Sequence, residues 1–389
     1  MTLQRANVEP AVLRWARETR GFSQQEAAAA IGVKPERIES WEDGTGKPTV
    51  NQLRKLAHAY RRGIGLFFLP ESPEDDEIEA IRDFRRMVGP ESRDFSPALR
   101  LEIRLAQERR LEALDLAAEL GEELPRFPLA ASRSQDADSV AARIRSALGV
   151  KLEEQFSWQV GGYEALSSWR AAIERLGVLV FQTGGKSAYK VSTSEARGFS
   201  LAEDPLPVIV ANSGDAPTAR CFTLIHELTH VLLRAGGLCD LHDGGVEAYC
   251  NKVAAAVLVP ADALREVIAR EARFADLRGE WQDEDLRRLA NRFSVSWETM
   301  LLRLLAIGKT TQAFYNIWRR MHEAPQSEPG ILYPHTRAVM RNGRLLPRLA
   351  FAAHAQGLLT LGDLGAVLGE NVQHVDAIER YVFDPRYGA

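Results

Sequence analysis

Apolar residues recur at helical spacing along most of the chain. Between Thr218 and Leu233 they fall at Phe222, Ile225, Leu228, Leu232 and Leu233, a continuous stripe that predicts a buried helix. The run from Glu247 through Ala254, Ala255 and Ala256 to Pro260 predicts a second helix, apolar enough to pack beside the first. Upstream the period shortens. Gly177–Gln182 predicts a strand, and Gly198–Leu201 with Val208–Asn212 predicts a strand pair feeding directly into the first of these helices. Ala137–Gly149 and Tyr163–Leu176 are expected as helices. Ser96–Glu123, dense in Arg and Glu, is expected as one long amphipathic scaffold. After Pro260 the pattern is helical.

The first 70 residues form a separate unit. Val12–Glu18 is expected as a helix ended by Gly21, and Ser23 to Glu26 has the form of a capping box opening a short alanine-rich helix to Ile31. Gly32 supplies a turn, and Pro35 begins a helix to Glu42 that Gly44 and Gly46 end. Pro48–Ala57 is expected as the next. Short helix, glycine turn, second helix is the helix-turn-helix arrangement. Ser23 to Ala28, Gly32-Val33 and Ile38 to Gly44 resemble the Cro/repressor-like family. That resemblance implies that Gln24, Lys34, Arg37 and Ser40 face DNA. Residues 1–70 carry 11 Lys and Arg against 7 Asp and Glu, enough for a few phosphate contacts. Glu36, Glu39, Glu42 and Asp43 lie on the second helix or at its end, and acid on a groove-facing side would repel phosphate. A protein-docking module is therefore the alternative. Sequence-specific binding would need a homodimer to span two half-sites.

The densest chemistry lies at His226-Glu227-Leu228-Thr229-His230. On a helix, histidines four apart share a face and can converge on one metal. The glutamate next to the first can take a proton from a water held there. A catalytic zinc site needs a third protein ligand. Position 236 is glycine, so a third histidine six residues on is excluded. The downstream candidates are Asp240, His242, Asp243 and Glu247. The first three sit in a glycine-bounded stretch. Glu247 opens a helix able to hold it rigidly, and is favoured. Tyr249 and His242 are candidates to stabilise an oxyanion.

His226-Glu227-x-x-His230, then Glu247-x-x-x-Asn251 and an alanine-rich run ending Val259-Pro260, resembles the ImmA/IrrE family of zinc metallopeptidases. The resemblance implies His226, His230 and Glu247 as ligands of zinc (manganese fits the same donors) and Glu227 as general base. It also implies a protein substrate, a helix-turn-helix repressor whose cleavage releases stress-response, mobile-element or phage-defence genes. The rival reading is a DNA-binding regulator of the antitoxin kind with a structural metal site.

The fold class expected is α+β, mainly helical. Residues 1–70 form a helix-turn-helix bundle and 71–135 a helical linker. Residues 136–308 form a zincin-like peptidase domain with a small sheet, and 309–389 a helical C-terminal region. The edge Gly198–Leu201 suits an extended substrate chain. With 389 residues, 45% of them hydrophobic, and a net charge of −4, composition favours no charged partner. Three cysteines, Cys221, Cys239 and Cys250, with no Cys-x-x-Cys, fit a reducing cytoplasm. No run approaches a membrane span. Basic residues from Lys309 to Arg348, interleaved with Tyr315, Trp318 and Tyr333, suit either a solvated helix face or single-stranded DNA acting as activator. Thr360 to Arg380 repeats a capped helix, glycine turn and helix, whose acidic residues favour a packing element.

Overall fold

The computed structural model describes residues 5–60, 62–73, 95–184, 190–235, 244–271, 274, 279–322 and 333–384. The chain divides into two compact units, Met1–Gln107 and Glu108–Ala389. Among the described residues it is mainly helical with one small sheet, as expected.

In the first unit α1 (Pro10–Arg20) ends on Gly21, whose φ of 76° needs no Cβ. Ser23 and Glu26 close a capping box that opens α2 (Gln24–Ile31), and Gly32 ends it in the left-handed region. Then come α3 (Pro35–Glu42) and α4 (Val50–Tyr60). The last starts two residues later than expected. Thr49 Oγ1 accepts the Gln52 amide, at 3.2 Å, and Gln52 Oε1 accepts the Thr49 amide, at 2.9 Å, which leaves Pro48 outside the helix. Leu13, Ile38, Trp41, Leu53 and Tyr60 fill the core. Arg17 Nε donates to Glu42 Oε1 at 2.7 Å, a buried pair tying α1 to α3. Burial disfavours the Arg17 charge, but Glu42 outweighs it and the pKa rises.

In the second unit the elements that position the site are α5 (Tyr163–Arg175), β1 (Leu179–Gln182), β2 (Gly198–Leu201), β3 (Val208–Ala211), α6 (Pro217–Ala235) and α7 (Gly244–Leu258). The sheet order is β1-β3-β2. β1 runs parallel to β3 and β2 antiparallel to it, with Phe199 opposite Val210. Cys221, Leu224, Leu228 and Leu232 of α6 meet Val246, Cys250, Val253 and Val257 of α7 in one core, which also takes in Val140, Ile144, Leu166 and Trp169. Two helix-turn-helix-like pairs follow. Asp283–Phe293 and Trp297–Ala306 are joined through Ser294 (φ 53°), and Leu361–Leu368 and Val375–Val382 through Gly369.

The two outer edges of the sheet differ. The Leu179 and Thr183 amides donate to Pro207 and Ala211, so Val180 and Gln182 turn their backbone groups outward. That edge is covered. The Val180 carbonyl accepts from Arg170 at 2.8 Å, and Gly343 lies so close that a Cβ there would stand 3.2 Å from the same oxygen. Gln182 Nε2 donates to Met340 Sδ at 3.2 Å. Fully buried Arg170 pairs with Glu174 at 3.4 Å, and Glu174 accepts the Arg344 amide at 3.2 Å. Burial pushes Arg170 down and Glu174 up, and each opposes the other's shift. The edge of β2 is open. The Asn212 amide donates to Arg197 O at 2.8 Å, which turns Phe199 and Leu201 toward β3 and leaves the Gly198 and Ser200 backbone facing away. No further strand pairs there among the described residues.

Candidate metal centre

Helix α6 carries His226, Glu227 and His230, and α7 brings Glu247 to them from its first turn. The two helices pack through Leu224, Leu228 and Leu232 of α6 and Val246, Cys250 and Val253 of α7, all in one buried core. His226 Nε2 and His230 Nε2 stand 3.0 Å apart. Glu247 Oε2 lies 3.3 Å from the first and its Oε1 3.2 Å from the second. Three donors around one tetrahedral zinc, each about 2.0–2.1 Å from it, lie roughly 3.3 Å from one another. The donor set therefore fits a single metal ion, and its two imidazoles and one carboxylate suit zinc or manganese. The His226 and His230 Nδ1 atoms are buried, with no hydrogen-bond partner among the described residues, and both Nε2 atoms face the shared point.

Burial lowers the His226 pKa, but the hydrogen bond to Glu247 and the nearby Glu227 and Asn251 outweigh it, and the imidazole ends above its usual value. Hydrogen bonds from His226 and His230 hold the Glu247 carboxyl well below the usual range. Glu247 is half-exposed, so the site opens to solvent on its side. Glu227 is buried at 9% exposure, and its Oε2 accepts from Ser200 Oγ at 2.9 Å.

The structure thus brings His226, Glu227, His230 and Glu247 together. Asp240, His242 and Asp243 lie outside the described residues. The Tyr249 hydroxyl donates to the Gln135 carbonyl at 3.0 Å and lies 3.4 Å from that of Ser132. Ser200 went unnoticed in the sequence. Its only signal there is its place two residues after Gly198, on the same face of an edge strand. Cys221 and Cys250 are buried, and burial pushes the Cys221 thiol up to about 12, the behaviour of a packing residue rather than a redox switch.

In the first unit Lys34 and Arg37 are exposed at the start of α3. Ser40 Oγ donates to Arg37 O at 2.9 Å, and Gln24 Nε2 donates to Glu42 Oε2 at 3.2 Å. Gln24 is therefore half engaged in bracing the Arg17 pair. The acidic objection to DNA binding shrinks. Glu42 is buried against Arg17, and Asp43 pairs with Arg14 at 3.0 Å, so only Glu36 and Glu39 remain free on α3.

In the basic stretch of the C-terminal region several of the arginines are engaged within the protein. Arg319 pairs with Glu298 at 3.1 Å, Arg337 with Glu370, and Arg348 with Glu122. Arg344 donates to the Val382 carbonyl at 2.9 Å, and buried Trp318 donates to Asp283 at 3.1 Å. These side chains hold helices together.

Residues 173–305 match the IrrE N-terminal-like domain of peptidase family M78, and residues 13–67 match a helix-turn-helix family. Both resemblances read from the motifs hold, each on the segment that carried it. No curated protein matches the chain. No helix among the described residues is long and apolar enough to cross a membrane.

Proposed function

We propose that the chain is a metal-dependent endopeptidase that cuts a transcriptional repressor of the helix-turn-helix type in the cytoplasm and so releases the genes it silences. One observation carries the peptidase half of this reading. A buried glutamate is held beside two histidines and a carboxylate that converge, next to a sheet edge whose outward backbone groups have no partner among the described residues. A purely structural metal site has no use for such a base.

His226, His230 and Glu247 hold the ion, which when bound supplies Lewis-acid polarisation of the scissile carbonyl. The substrate chain lies extended along β2, pairing with the outward amides and carbonyls of Gly198 and Ser200. Ser200 occupies Oε2 of Glu227, and Oε1 takes a proton from the attacking water. Glu227 then passes that proton to the leaving amine nitrogen as the C–N bond breaks. The family likeness of residues 173–305 supports a peptidase, and the repressor substrate and gene-control role are our reading of that likeness.

The second reading keeps the metal as a structural element and makes the chain a DNA-binding regulator. Exposed Lys34 and Arg37 at the start of α3 favour DNA contact through the first unit, as a homodimer. Glu247→Ala separates the readings. The peptidase account expects metal content and cleavage to fall together while operator binding, with its salt dependence, stays as in the wild type. Full metal content in that variant removes Glu247 from the ligand set. Operator binding lost along with the metal supports the structural reading.

A further inference from the structure

We infer that Ser200 is the positioning residue of Glu227, an inference that rests on the peptidase reading above. A glutamate on a helix has three side-chain torsions, and burial alone does not choose among them. Here the choice is made from outside the helix. Ser200, 27 residues earlier, donates its hydroxyl to Oε2 at 2.9 Å and leaves the other oxygen free. The approach that allows this depends on Gly198. A Cβ there would stand 2.4 Å from Thr223 Cγ2 and 2.8 Å from Val210 O, so any side chain would push β2 off α6. Gly198 and Ser200 project onto the same face of the strand, the first making room and the second reaching the carboxylate. Helix α6 presents Thr223 and Glu227, one turn apart, to those two positions in order.

The same residue turns its amide and carbonyl to the open edge. A substrate chain paired there would stiffen the strand whose hydroxyl aims the base. Backbone recognition and base orientation therefore meet in Ser200. Neither role touches the metal ligands, so loss of the hydroxyl leaves the ion in place.

The test uses the full chain loaded with zinc and acetohydroxamate as probe. This small chelator grips a metal through two oxygens and gives its acidic proton to a neighbouring base, so its affinity reads how well Glu227 is aimed without any knowledge of the substrate. Titration calorimetry compares wild type, Ser200→Ala, Ser200→Thr, Glu227→Gln and the Ser200→Ala/Glu227→Gln double variant. Ser200→Ala is expected to bind roughly 3- to 10-fold more weakly, the range of one hydrogen bond to a charged group used in part. Its zinc content and melting temperature should be unchanged, and Ser200→Thr should recover wild-type affinity. The double variant should bind no more weakly than Glu227→Gln alone. Equal affinity in wild type and Ser200→Ala, with Glu227→Gln weakened, overturns the role of Ser200 and leaves the peptidase reading standing. Losses that add in the double variant assign the effect to strand packing and overturn it too. A zinc-loaded wild type that does not bind the probe overturns the peptidase reading, and this inference with it.

Discussion

The two edges of the small sheet receive opposite treatment. At β1 the outward Val180 carbonyl is taken by a buried arginine, Gly343 closes against it, and Gln182 reaches across to Met340. At β2 the outward groups of Gly198 and Ser200 stay unpaired among the described residues, beside Glu227. An unpaired edge invites another chain, and proteins commonly cover such edges. Covering one and leaving the other open beside the proposed base is what an enzyme that binds extended chains requires. The contrast also gives the C-terminal helices a use, since they supply the cover.

The comparison breaks most severely at Arg170. Arg170→Met takes the buried guanidinium from Glu174, leaving it only Arg344, and should cost about 3–5 kcal/mol in urea unfolding, with the helix Pro334–Asn342 becoming sensitive to protease. Stability within a few tenths of the wild type would show that the cover is not held there. Next comes the open edge. Gly198→Val drives a side chain into Thr223 and Val210 O, and should cost about 1–3 kcal/mol while abolishing cleavage with zinc retained. Full cleavage would separate the strand from the reaction. Arg337→Ala loosens the cover less, because its partner Glu370 is buried but the arginine is partly solvated. A loss of about 1 kcal/mol with cleavage unchanged is expected by the same unfolding assay. The smallest effect lies outside the sheet. Arg37→Ala should leave folding and cleavage as they are and lower the salt slope of DNA binding by about one, measured by fluorescence anisotropy. An unchanged slope would favour protein docking by the first unit.

Much of this was legible because it is local. The histidine–glutamate–histidine spacing is a property of one helix, and the helix-turn-helix announces itself through caps and glycines within a few residues of each turn. Glu247 lies on a second helix, but its place at the start of an apolar helical run could be read from its immediate neighbours. What escaped was tertiary. The strand expected from Gly177 starts at Leu179, since Gly177 adopts φ 80° against the Pro125 carbonyl. Ser200 meets Glu227 only because Gly198 lets the strand close on the helix. Nor does the sequence show that Arg348 meets Glu122, 226 residues away. Likewise Glu42 sits on the face of α3 turned toward α1 and is hidden from any groove.

The central claim is that Glu227 acts as a base on a peptide bond. Wild type and Glu227→Gln, both assayed for bound metal, should be added to cell lysate with zinc or manganese and with or without single-stranded DNA, and new protein N-termini read by mass spectrometry. The account predicts equal metal in the two proteins and new N-termini with the wild type alone, among them one within a helix-turn-helix repressor. Identical N-termini under every condition would contradict it and leave a DNA-binding regulator with a non-catalytic metal site.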